Sequence, residues 1–222
     1  MKPYAQFCPV AKAAEVVGDR WSLLILRDMI GGTTRFNDLV RGLPGISRAI
    51  LSKRLRQLEA AGLVVHTEDG WALTDAGRDL EDIVFGLAAW GAKYAFGDPA
   101  EDELDPDLLM WWMHGRVAPD ARPDRVQVVQ FVYSDHAHPY WLVVEPTDVS
   151  VCVTDPGFSV DAVVRTDLRT MYNVWLGRQE LLGAVRDGDI EIDGAPAVVR
   201  RLPDWLQLSP VAAIVRDAAA RV

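Results

Sequence analysis

Cysteine is scarce in this chain: two residues among 222, Cys8 and Cys152, far apart in sequence. That excludes a disulfide framework and fits a reducing compartment. Histidine is also sparse, with four scattered copies. There is no zinc-ligand spacing, Gly-rich phosphate loop, nucleophile elbow or catalytic triad. No catalytic residue, metal or cofactor is therefore expected, and the chain does not read as an enzyme. No apolar run approaches the ~20 residues of a membrane span. The first residues lack the basic, apolar and small-residue regions of a secretory signal. A cytoplasmic protein without a membrane partner is the expectation.

Apolar residues are abundant, at 50% of the chain, and 222 residues suggest one large or two small domains. The formal net charge of −9 argues against a general nucleic-acid binder, but it is unevenly spread. Residues 1–97 carry 12 Lys and Arg against 11 Asp and Glu, whereas residues 98–222 carry 11 against 21. The acidity belongs to the second half, and nucleic-acid binding depends on the local field rather than the whole-chain sum.

The most informative stretch runs from Pro44 to Gly62. Pro44-Gly45 forbids helix before it, Ser47 is a good N-cap, and Gly62 can adopt the left-handed conformation that closes a helix. Leu51, Leu55 and Leu58 fall on one stripe. The opposite face carries Ala49, Ser52, Lys53, Arg56 and Gln57, flanked by Arg48 and Arg54. Between Ser47 and Leu58 there are four cations and no acid. Such a helix suits a DNA major groove: the stripe fixes it to its own domain, small residues allow close approach, and Arg and Lys reach bases or phosphates. A solvated amphipathic helix has the same pattern, and the neighbouring segments decide between the two.

Those segments form a consistent series. Cys8-Pro9 opens a helix over Val10–Val17 that Gly18 ends. Asp19 is placed to cap a second helix, Arg20–Ile30, and Thr34 a third, Arg35–Arg41. Leu43-Pro44-Gly45 is a turn before the basic helix, which makes a helix-turn-helix. Leu63–Thr67 and Trp71–Thr74 are strands joined at Glu68-Asp69-Gly70, a hairpin placed as a wing. Thr74 is placed to cap one long helix from Asp75 to about Phe96. Leu80, Ile83, Val84, Leu87, Ala88 and Trp90 give it more apolar surface than a small domain covers. The alternatives for that surface are a second subunit, making a homodimer, or the second half of the same chain.

Several motifs occur in one order over about residues 7–96: Cys8-Pro9-Val10, Val16-Val17-Gly18-Asp19-Arg20-Trp21, Leu23-Leu24-Ile25-Leu26-Arg27, Gly32 with Arg35-Phe36-Asn37-Asp38-Leu39, Gly45-Ile46-Ser47, Leu51 through Glu59, Gly62-Leu63-Val64 and Leu73-Thr74-Asp75-Ala76-Gly77. Together they resemble the HxlR-type transcriptional regulators, winged-helix relatives of the MarR class. The resemblance implies a homodimer on double-stranded, inverted-repeat operator DNA, with the Ser47–Arg56 segment in the groove. On that basis Ser47, Arg48, Ser52, Lys53 and Arg56 are the candidate DNA-binding residues. The wing departs from the family, whose tip is usually longer and basic. Glu68-Asp69 would be repelled by phosphate. Cys8 lies where family members often have a cysteine, some of which sense oxidants or electrophiles. Redox sensing and a buried small hydrophobe are both open to it.

The N-terminal winged helix-turn-helix is expected to span residues 1–96, with an acidic linker over 97–104. An α+β domain with a mainly antiparallel sheet is expected over 105–222. In that domain Asp105-Pro106 starts a helix. Strands are expected over Arg125–Tyr133, Tyr140–Glu145, Val149–Thr154 and Val160–Arg165, and Asp167 caps a helix through Leu176. A helix over Glu180–Arg186, a short strand over Asp189–Gly194 and two closing helices follow. Ala162–Thr170, Trp175-Leu176-Gly177, Asp187–Gly194 and Leu202–Leu206 resemble a sterol-carrier-protein-like domain, which implies a cavity for an apolar small-molecule ligand. Trp111, Trp112, Trp141 and Trp175 are its candidate lining residues, with core packing as the alternative for each. Asp135-His136-Ala137-His138 reads as a hairpin loop rather than a metal site. A rival functional reading makes the second domain a lipid carrier or small-molecule-processing protein and the winged helix a protein-interaction module.

Overall fold

A computed structural model describes residues 4–219, so the outermost residues of both expected domains lie outside the described part. The chain divides into two compact units, Met1–Ala88 and Ala89–Val222. Among the described residues no helix is long and apolar enough to cross a membrane.

The first unit begins with helices α1 (Pro9–Val17), α2 (Ser22–Ile30) and α3 (Phe36–Gly42), followed by the basic helix α4 (Arg48–Ala60). The strands β1 (Val64–Thr67) and β2 (Gly70–Leu73) pair antiparallel around a two-residue tip, with Thr67 opposite Gly70. Then come α5 (Asp75–Arg78) and α6 (Glu81–Tyr94), whose residues from Ala89 on are counted in the second unit. The core is formed by Ile25, Leu26, Leu39, Leu43, Leu51, Leu55 and Leu58, with Trp21, Trp71 and Leu80 packed against it.

Three local expectations need correction. The second helix starts at Ser22, and Asp19 does not cap it. Trp21 precedes the helix in the left-handed region, at φ 81°, and the Asp19 carboxylate turns to Arg54. Thr34 does not cap α3: the helix starts at Phe36, so Arg35 holds the N-cap position, without a side-chain cap bond, and the Thr34 carbonyl accepts the Trp71 N–H at 2.8 Å. The expected helix from Asp75 to Phe96 is broken at Asp79-Leu80. Thr74 does cap the first piece, accepting from Gly77 N at 3.1 Å, but its own hydroxyl donates to Gly62 O at 2.6 Å. A Cβ on Gly77 would stand 2.0 Å from Leu63 O. That first turn is therefore fitted closely against the backbone at Leu63, between α4 and β1, and Leu80, in the break, packs against the core.

The second unit holds α7 (Pro106–His114), β3 (Gln127–Tyr133), β4 (Tyr140–Val144), β5 (Val149–Cys152), β6 (Ala162–Thr166), α8 (Leu168–Trp175), α9 (Leu181–Asp187), β7 (Glu191–Gly194), α10 (Pro196–Trp205) and α11 (Ala212–Ala219). The strand order is β5-β4-β3-β6-β7, with every neighbouring pair antiparallel except β3 and β6. Asp105 caps α7, accepting from Asp107 N and Leu108 N, and Asp167 caps α8, accepting from Thr170 N at 2.8 Å. Leu109, Met110, Phe131, Trp175 and Trp205 belong to the core on one face of the sheet. Val128, Trp141 and Val143 form a smaller cluster. The register places Trp141 beside Gln130, so by the period of two it shares the face of Val128, opposite Val129 and Phe131.

Residues 96–101 are fastened to α8 and its C-terminal end. Arg169 donates to Pro99 O at 2.7 Å and to Glu101 at 2.5 Å. Arg178 donates to Phe96 O at 2.8 Å and to Gly97 O at 2.6 Å, and its guanidinium lies 4.4 Å from the Phe96 ring centre. The acidic stretch expected as a linker over 97–104 thus has defined partners within this unit.

Candidate nucleic-acid interface

Helix α4 forms where its sequence marks it. Ser47 has extended backbone and its Oγ accepts from Ile50 N at 3.2 Å, while Gly62 has φ 77° two residues past the helix end. Leu51, Leu55 and Leu58 are buried, and they anchor the helix through one stripe. At 100° per residue the direction away from that stripe carries Ala49, Lys53, Arg56 and Gln57. Lys53 and Arg56 are exposed, and neither makes a hydrogen bond or ion pair among the described residues.

The other candidate residues are placed differently. Ser47 is exposed, and its oxygen serves the cap. Arg48 donates to Asn37 Oδ1 at 2.6 Å, and its guanidinium lies 5.5 Å from the Phe36 ring centre. It is held against α3 at the head of α4. Ser52 is half-buried on the same flank. Arg54, the fourth cation, points to the opposite flank, where it binds Asp19 and, at 2.7 Å, Gln57 Oε1. Sequence reasoning did not find Asn37 or Asp19. The partners lie 11 and 35 residues from their arginines, and no local signal joins them.

The wing tip, Glu68-Asp69, is exposed. Directly after the tip a Cβ on Gly70 would meet Thr34 O at 2.6 Å, so the glycine permits the close approach of the two backbones.

Cys8 is half-buried at the N-cap of α1, beside Pro9, and Lys12 pairs with Glu15 at 3.0 Å. In α2, Asp28 pairs with Arg27 at 2.7 Å, but its second carboxylate oxygen is buried with no hydrogen-bond partner among the described residues. Burial pushes its pKa up, against the pull of Arg27.

In the second unit an apolar cavity of about 20 Å³ is lined by residues including Phe131, Val164, Met171, Val174, Trp175 and Leu202. That is room for about one water-sized molecule. Of the four candidate tryptophans, Trp175 lines this cavity; Trp111 and Trp112, half-buried on α7, do not, and Trp141 packs in the smaller cluster. No group of three or more His, Cys, Asp or Glu among the described residues is arranged to hold a metal.

A family model for the HxlR-like helix-turn-helix matches residues 16–98. The HTH-type transcriptional regulator YybR of Bacillus subtilis (strain 168) is 36% identical over 96 residues, covering 40% of this chain and 77% of YybR. The chain belongs to the HxlR-like helix-turn-helix family. An HTH-type transcriptional regulator of Mycobacterium tuberculosis (strain ATCC 25618 / H37Rv) is 46% identical over 92 residues, 38% of this chain. The chain spans 58% of the length of that mycobacterial relative. Among solved structures, quinone-bound YodB from B. subtilis aligns over 39% of this chain and 99% of its own, at 29% identity and a TM-score of 0.37. Within the HxlR-like region, α3 and α4 are the two helices of the helix-turn-helix and β1–β2 is the wing.

Proposed function

We propose that this chain is a sequence-specific DNA-binding transcriptional regulator that works in the cytoplasm as a homodimer on inverted-repeat operators. The observation that carries the reading is the outward face of α4. Two cations, Lys53 and Arg56, stand exposed without partners among the described residues around a small residue, Ala49, on a helix anchored by three buried leucines. Arg48 is pre-oriented at the head of the same helix. Each subunit places the Ser47–Arg56 segment in a major groove, one helical turn (~34 Å) from its twin. The short acidic wing contributes little affinity.

The second subunit covers α6. Ile83, Leu87, Trp90 and Tyr94 fall at i, i+4, i+7 and i+11, and they are 50%, 48%, 60% and 63% exposed. A stripe of this size on one helix is unfavourable in water and suits a two-fold seam, in which the same surface serves both subunits. Within the second unit, the domain over 105–222 that follows the 97–104 segment is a sterol-carrier-like module for an apolar ligand, with Trp175 as its contact in the wall. A ligand larger than water enters only by parting the walls of the present cavity.

The test is selection of duplexes from a randomised pool by the full chain. Binding of the enriched and scrambled duplexes is then titrated with salt, and the mass of the free protein is measured by light scattering. A dimeric mass and an enriched palindrome whose binding falls steeply with salt support the reading. Binding no tighter than to scrambled DNA sinks it, as does a monomer that Trp90→Glu leaves unchanged.

A further inference from the structure

Helix α4 carries four cations, and the structure treats one of them differently. The Arg54 side chain is 17% exposed and its partner Asp19 26%, so the pair is largely withdrawn from water. Arg54 Nη1 serves both Asp19 Oδ2 and Gln57 Oε1, and Arg54 Nε is buried without a partner among the described residues. On the helix Arg54 is about 100° from Lys53, turned toward the junction of α1 and α2 rather than outward. That junction is itself fixed. The Asp19 carbonyl accepts from Ser22 N at 3.1 Å, Gly18 N–H closes α1 on Ala14 O at 2.9 Å, and Trp21 is locked in a left-handed conformation.

We propose that Asp19 and Arg54 are a positioning pair for DNA reading: Arg54 does not touch DNA, and its tie to Asp19 sets the rotation of α4 about its own axis. This rests on the DNA-binding reading above. The leucine stripe fixes which face of α4 is buried, but apolar attraction is itself non-directional. A charge-assisted bond between groups 35 residues apart supplies the missing direction. It holds Lys53 and Arg56 outward and Arg48 against Asn37 at once, since all three ride on the same rigid helix.

The two possible roles of Arg54 predict opposite signs for one substitution. Asp19→Ala removes an acid from the DNA-binding region and frees a cation. If Arg54 were a DNA ligand restrained by Asp19, operator binding would tighten. If the pair positions α4, binding weakens, by about tenfold for a coupling of typical size. The experiment measures affinity of the full-length protein for the duplex it enriches from a randomised pool, at several salt concentrations. Wild type, Asp19→Ala, Arg54→Ala and the double variant are compared, with each variant's folding followed by circular dichroism.

The expected result is a similar weakening in both single variants, no further weakening in the double, and an unchanged dependence of log affinity on log salt. A wild-type or tighter affinity for Asp19→Ala overturns the proposal. So does a salt slope flattened in Arg54→Ala by about 0.9 for each phosphate that the arginine had neutralised. If Asp19→Ala does not fold, Asp19→Asn, which keeps an acceptor oxygen, takes its place with the same sign expected. A wild-type protein that enriches no duplex fails the DNA-binding reading itself; a wild type that enriches one while the variants match it fails only the positioning role.

Discussion

Replacing Lys53 or Arg56 by alanine gives a quantitative test of the reading face. Both side chains are exposed and neither has an intramolecular partner among the described residues, so the fold should lose under about 0.5 kcal/mol. Any change in DNA affinity then reports on the interface alone. If each side chain neutralises one phosphate, each substitution in a two-fold dimer leaves two phosphates un-neutralised. The slope of log affinity against log salt then falls by about 1.8, at about 0.9 per phosphate on duplex DNA. Between 50 and 200 mM salt, a fourfold change, the gap between wild type and variant should therefore shrink by about 12-fold. Fluorescence anisotropy on a labelled operator duplex measures this directly. Weaker binding with no change in slope would mean that the side chain touches bases rather than phosphates, and it would fall on the cognate duplex alone. Unchanged affinity and slope in both variants would refute the assignment of α4 as the reading helix.

Three further outcomes follow from the packing. Leu55→Ala empties a fully buried position in the first unit and should cost about 3 kcal/mol in urea denaturation, and a cost below about 1 kcal/mol would contradict the stripe as the anchor of α4. Gly77→Ala forces a Cβ to within 2.0 Å of Leu63 O and should cost about 3 kcal/mol, whereas wild-type stability would show that the Thr74 turn is free to back away. Asp28 has its pKa raised by burial, so the folded state holds that proton more tightly than the unfolded chain does. Its carboxylate therefore weighs on stability above the folded pKa and ceases to do so as pH falls through the carboxylate range. Asp28→Asn should stabilise the protein at neutral pH, with the gain shrinking toward acid; a gain that grows toward acid would reverse the assignment.

Much of the architecture was legible because its signals are local. Ser47, Thr74, Asp105 and Asp167 each cap a helix within three residues of themselves, and Leu51, Leu55 and Leu58 declare their face by spacing alone. What failed depended on distant partners. Asp19 has the chemistry of a cap, but an arginine 35 residues away claims its carboxylate, and Thr34 lies one residue too early because Arg35 holds the N-cap position of α3. The break at Asp79-Leu80 follows a turn whose Gly77 is fitted against the Leu63 backbone, a contact that helical periodicity cannot express. In β4 all five residues are buried, so alternation gave no hint that Trp141 and Leu142 face opposite ways. At the candidate interface, residue types located the helix, but counting its cations overstated the free ones. Arg54 is engaged internally, and Arg48 is pinned to Asn37.

The wing is suited to engineering. The strand residues just after its tip, Gly70 and Trp71, are fitted to the Thr34 backbone, while its two tip residues stand in water. Inserted residues at an exposed turn are borne far better than residues inserted into a packed ladder. The peptide bond between Glu68 and Asp69 is therefore a port for added sequence. If α4 reads DNA as proposed, a basic extension placed there is expected to tighten binding to duplex DNA without altering α4 itself.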